Sequence, residues 1–106
     1  MAGGVIQFLS GLDIGGKERV ALELARLGRA AGRDDRMIVF DSGFRDEVRD
    51  LDPGDVPVEL IPRGPGLDLA FARRAAARLV DLRPRAVHAH NDTGIFYGSL
   101  ARALTV

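Results

Sequence analysis

Fifteen Lys and Arg balance fifteen Asp and Glu along 106 residues, so no net field recruits nucleic acid or an anionic membrane. The apolar share of 46% and charged share of 28% are those of an ordinary globular domain, and a chain this long can bury roughly 65% of its unfolded surface in one modest core. With no cysteine, disulfides, thiolate metal sites and thiol catalysis are excluded.

The opening Met-Ala-Gly-Gly carries no basic segment, and the apolar run after it is too short for a signal peptide or a membrane span. A cytoplasmic protein is expected, with only peripheral membrane contact left open. Val5–Ser10 reads as a buried strand, apolar apart from Gln7. Residues 11–16 form a glycine-containing loop. Lys17 to about Ala31 reads as a helix with Val20, Leu24, Leu27 and Ala31 at helical spacing, a stripe widened by Ala21, Ala25 and Gly28. Arg19 and Glu23 stand four apart on its exposed side, and Gly32 ends it.

Arg36–Phe40 is the second expected strand, broken by Asp41-Ser42-Gly43, and Phe44–Leu51 a short helix closed by Asp52-Pro53-Gly54. Val56–Ile61 is the third strand. Its Pro57 favours the sheet edge, because proline donates nothing to a ladder. After a loop over 62–66, Asp68 to about Leu82 is a long helix with Phe71, Ala75, Leu79 and Leu82 on one stripe, stopped by Arg83-Pro84. The arginines at 73, 74 and 78 read as its solvated face. Ala86–His90 is the fourth strand and about Thr93–Leu104 a fourth helix; Leu104-Thr105-Val106 reads as the approach to a fifth strand.

Strands and helices in alternation imply an α/β fold, a Rossmann-like parallel sheet of about four strands in order 3-2-1-4 with helices on both faces. Ligands of such sheets bind outside the carboxyl ends of the strands at the switch point, here between the first and fourth strands. Two polar clusters converge there. The loop before the first helix aims unpaired backbone N–H groups at one point, a place suited to a phosphate or sugar oxygen. The fourth strand ends in His90, Asn91 and Asp92.

Gly11-Leu-Asp-Ile-Gly-Gly16-Lys17 follows G-x-x-x-x-G-K up to the last position, where a P-loop needs a hydroxyl for Mg²⁺ and the chain has Glu18. The spacing of Gly11, Gly15 and Gly16 is also wrong for a dinucleotide fingerprint, and Asp34-Asp35 precede the second strand rather than ending it. No cofactor is expected. Gly15 and Gly16 permit a tight strand-to-helix turn and, as a pair, close backbone approach to a ligand. Glu18 fits either a helix-dipole role or contact with a substrate hydroxyl. His88 and His90 share one face of the strand: a core role is expected for His88 and a ligand role for His90, as a donor to a hydroxyl or a stabiliser of developing charge. A two-histidine metal site has only Asp92 nearby as a third ligand.

The segments Gly15-Gly16-Lys17-Glu18-Arg19, Gly66-Leu67-Asp68-Leu69 and Val87-His88-Ala89-His90-Asn91, in this order, resemble the amino-terminal domain of the family 4 glycosyltransferases of GT-B fold. The resemblance covers the chain from Val5 onward. It implies a retaining enzyme, independent of a required metal, that moves a sugar from a nucleotide-diphosphate sugar to an acceptor hydroxyl between two Rossmann-like domains. Carried over, Gly15 and Gly16 are the loop facing the donor diphosphate, and His90 the catalytic residue approaching the transferred sugar. Asp13 and Asn91 contact acceptor or sugar, and Lys17 is either a phosphate contact or a surface variation. Residues 1–106 would then be a partial, acceptor-side domain of an incomplete GT-B unit. The second domain with its paired glutamates and the later strands of the first are missing, so the isolated chain is expected to be inactive. The alternative is a freestanding Rossmann-like binding module that pairs its fourth-strand edge with itself or another chain.

Overall fold

The computed structural model describes residues 3–10, 16–40 and 54–105, with the backbone alone for 16–18. Four strands form one all-parallel sheet: β1 (Gly3–Leu9), β2 (Asp34–Val39), β3 (Val58–Leu60) and β4 (Ala86–Ala89), in order β3-β2-β1-β4. Helices α1 (Gly16–Ala30), α2 (Leu69–Leu82) and α3 (Asn91–Thr105) cover it from both sides. This is the expected Rossmann-like α/β architecture. The short helix expected over Phe44–Leu51 lies outside the described residues.

On one face Leu9, Met37 and Val39 meet Ala21, Leu22 and Ala25 of α1, together with Val56. On the other, Ile6, Phe8, Ile38 and Phe40 meet Phe71, Ala72, Ala75 and Ala76 of α2 and Tyr97 and Ala101 of α3. The second face is an aromatic stack, with Phe8 and Phe40 ring centroids 4.9 Å apart and Tyr97 edge-on to Phe71 at 5.0 Å. Because side chains alternate along a strand, odd-numbered residues of β1 face α1 and even-numbered ones face α2 and α3. Within the α2 stripe, Phe71 and Ala75 are buried and Leu79 and Leu82 pack against the core, as expected.

Several boundaries and faces differ from expectation. β1 begins at Gly3 and β2 at Asp34, because residues without a Cβ let the start of β1 press against its neighbours. A Cβ on Gly3 would sit 2.7 Å from the Arg83 carbonyl, and one on Gly4 would run into the Asp34 backbone. The buried stripe of α1 is Ala21, Leu22, Ala25 and Gly28, whereas Val20 and Leu27 are more than half exposed. The small residues win because α1 must lie close to β2: a Cβ on Gly28 would collide with the Asp35 carboxylate. Glu23 pairs with Arg26 at 2.8 Å rather than with Arg19. Leu104 and Thr105 continue α3 instead of starting a strand. Pro57 does border an edge strand, its carbonyl accepting from the Met37 N–H.

Asp34 and Asp35 stand at the amino-terminal end of β2, remote from the carboxyl ends of the strands. Asp35 is fully buried and accepts hydrogen bonds from the Val5 N–H at 2.9 Å and from Arg33 Nε and Nη2. Burial pushes its carboxyl upward, but the Arg33 guanidinium and the Val5 N–H outweigh that and hold it below the ordinary carboxylate value. The two acids that the sequence reading placed before the second strand thus tie β1, α1 and β2 together.

Candidate functional site

The carboxyl ends of β1 and β4 lie side by side, and their junction carries the polar cluster. The His90 N–H donates to the Phe8 carbonyl at 3.0 Å, extending the β1–β4 ladder one residue past β4 and fixing where the imidazole sits. That ring is 9% exposed, and its Nε2 lies 2.7 Å from Oε1 of Gln7, which is 2% exposed. Gln7 and His88 are register partners, so Gln7, His88 and His90 share the face that α1 covers. His88 stacks on His90 with centroids 4.2 Å apart, but it is exposed; the core role expected of it belongs to His90. The reversal follows from position. β4 is an edge strand whose body faces solvent, and only its carboxyl end is sheltered, where β1 and Gln7 reach it.

A carboxamide oxygen can only accept, so His90 donates its Nε2–H to Gln7. Gln7 was visible in the sequence as the one polar residue of an apolar run, but nothing linked it to a histidine 83 positions away.

Asn91 takes a left-handed backbone, φ 60°, which asparagine tolerates better than most residues. Its Oδ1 accepts from the Gly94 N–H at 2.9 Å, and its Nδ2 points to Ser10 Oγ at 3.4 Å. The side chain therefore secures the start of α3 and ties it to the end of β1. Gly94 has to be small, since a Cβ there would lie 3.2 Å from the Phe8 carbonyl oxygen. Gly16 is the first residue of α1, and Lys17 and Glu18 follow in its first turn, whose backbone N–H groups have no partner within the helix. Asp13 and Gly15 lie outside the described residues. Among the described residues no three His, Asp or Glu side chains gather to hold a metal ion, and no helix is long and apolar enough to cross a membrane.

The Gly66-Leu67-Asp68-Leu69 segment has a structural account. Asp68 caps α2, its Oδ1 accepting from the Phe71 N–H and its Oδ2 from the Gly64 N–H, both at 2.8 Å. These two N–H groups hold its carboxyl below the ordinary range. Gly66 takes φ +68°. The Tyr97 hydroxyl accepts from the Asp68 N–H and donates to the Gly66 carbonyl, clamping the turn to α3. Arg78 is paired with Glu59 through two hydrogen bonds and is a strut between α2 and β3.

The fold, the glycine-led start of α1 and the histidine at the β1–β4 junction define a Rossmann-like domain with its polar residues at the switch point. The profile of the glycosyl transferase 4-like domain matches residues 15–106, and the chain belongs to that family. No curated protein and no solved structure matches the chain.

Proposed function

We propose that this chain is the acceptor-side domain of a retaining glycosyltransferase that moves a sugar from a nucleotide-diphosphate sugar to an acceptor hydroxyl, its active site completed by a second domain. The observation that carries this reading is the buried His90–Gln7 pair at the β1–β4 junction, on the α1 face of the sheet, in a member of the glycosyl transferase 4-like family. The partial positive charge and unpaired N–H groups at the start of α1 favour the diphosphate and the charge it gains as the sugar departs. Gly15 and Gly16 let backbone approach that group, and Lys17 adds a cation. His90, held by Gln7, meets the transferred sugar and stabilises positive charge developing on its ring. Asp13, Glu18 and Asn91 bound the sugar and acceptor side.

Transfer requires both substrates oriented together, so the 106-residue chain alone is inactive and binds donor weakly, with Kd of about millimolar or above. Titration of the isotope-labelled chain with uridine- and guanosine-diphosphate sugars tests this. Saturable shifts at the Gly16 amide and the His90 ring, lost in His90→Ala, are expected. Shifts confined to other surfaces, or sugar turnover by the isolated chain, would overturn the reading.

A second reading has its own observation. β4 hydrogen-bonds only to β1 within the described sheet, and Ala86, Val87 and His88 are all exposed. A binding module that pairs this edge with another chain fits that exposure. Sedimentation of the pure chain across a wide concentration range decides it for self-pairing: association abolished by Val87→Lys supports edge pairing, and a monomer throughout refutes it.

A further inference from the structure

Arg63 follows β3 by three residues, and its N–H donates to the carbonyl of Phe40, the residue after β2. It therefore stands on the same rim of the sheet as His90, but on the aromatic face. Its guanidinium lies over two rings of the core, 5.7 Å from the Phe40 centroid and 5.4 Å from that of Tyr97. Phe40 is fully buried and Tyr97 3% exposed, so the platform beneath the cation is part of the packed core. Arg63 Nε is buried and has no hydrogen-bond partner. Among the described residues no carboxylate forms an ion pair with it.

The acid closest in sequence, Glu59, is engaged by Arg78, and Asp68 has both oxygens engaged by the Gly64 and Phe71 N–H groups. Arg74 donates to the Pro62 carbonyl, so the loop bearing Arg63 is held at Pro62 and again at Gly64. Asp92 lines a hollow with Gly66, Phe96 and Tyr97, the last of which also lies under the Arg63 guanidinium. A cation fixed on aromatic rings, with an unsatisfied donor and no counter-ion among the described residues, is an unusual thing for a fold to keep without a use. The planar fork of a guanidinium matches the two oxygens of a phosphate or carboxylate.

We infer that Arg63 is an oxyanion-holding residue, and that the acceptor it serves carries a phosphate or carboxylate group. The assignment to the acceptor rests on the transferase reading above; the anion site itself does not. The aromatic platform fixes the guanidinium plane, Tyr97 fixes the following turn, and the bound oxyanion accepts from the outer guanidinium N–H groups, beyond the buried Nε.

The Arg63 side-chain N–H resonances of the labelled chain report on this site. Titration with inorganic phosphate and with acetate, against sodium chloride at matched ionic strength, is expected to shift them saturably. Arg63→Gln should weaken that binding by roughly tenfold or more. Arg63→Lys, which keeps the charge without the fork, should retain only part of it, and guards against a fold defect in the Gln variant. Phosphate acting alone points to a phosphorylated acceptor, and acetate acting equally well to a carboxylate. No saturable shift, or the same shift with chloride, overturns the inference. Phosphate at Arg63 with no response of Gly16 and His90 to nucleotide sugars leaves the anion site standing and removes the transferase reading; the reverse pattern does the opposite.

Discussion

Replacing Gln7 by Leu keeps approximate volume and deletes the acceptor that His90 Nε2 uses. Both side chains are buried, at 2% and 9% exposure, and their contact is 2.7 Å long. A buried donor stripped of its acceptor costs about 1–3 kcal/mol, while removing both partners together is close to neutral. Gln7→Leu should therefore destabilise by about 1–2 kcal/mol, part of the loss being offset by the added apolar burial. For a domain this size that lowers the melting temperature by roughly 4 °C or more. His90→Leu strands the Gln7 amide in the same way. The double variant should lose less than the sum of the two, with a coupling of about 1 kcal/mol or more. Urea unfolding followed by circular dichroism gives all four stabilities. The ring ¹⁵N shifts of His90 add a readout that packing alone would not move: the wild type should carry its proton on Nε2, and Gln7→Leu should release that preference. Additive single variants, or a His90 tautomer indifferent to Gln7, would refute the hydrogen bond as the device that orients the imidazole.

Asp35 supplies a pH prediction. Its carboxyl titrates below the unfolded value of about 3.9, so its stabilising contribution is fully present above that pH and disappears as pH falls through the folded value. Asp35→Asn should cost about 1–3 kcal/mol at neutral pH and flatten the acid limb of the stability curve; an unchanged acid limb in urea titrations would show that the Arg33 and Val5 bonds do not hold the carboxylate charged. Asp68→Ala should lower the melting temperature by roughly 4 °C or more by removing the α2 cap. The same change should broaden the amide resonances of Gly64 and Phe71, and leaving them sharp would contradict the capping role.

The alternation of short apolar runs with helical periodicity was enough to define a parallel sheet in order 3-2-1-4, because each apolar run must be buried and right-handed crossovers leave few arrangements. The three-motif pattern likewise pointed to the family that residues 15–106 match. What local pattern could not reveal was which of two neighbouring stripes on α1 turns inward. That choice was made by β2, whose Asp35 excludes a Cβ at Gly28 and draws the alanine-lined side close. Gly66-Leu67-Asp68-Leu69 read as a family motif, yet its meaning as a cap and clamp depends on Tyr97 arriving from a different helix. The core role expected of His88 fell instead to His90, since the carboxyl end of β4 is sheltered by β1 and Gln7 while its middle is an open edge. Composition and periodicity fix which residues must be buried somewhere. Which polar atoms then meet, Gln7 with His90 or Arg63 with the rings of Phe40 and Tyr97, is decided only when segments distant in sequence are packed into one rim.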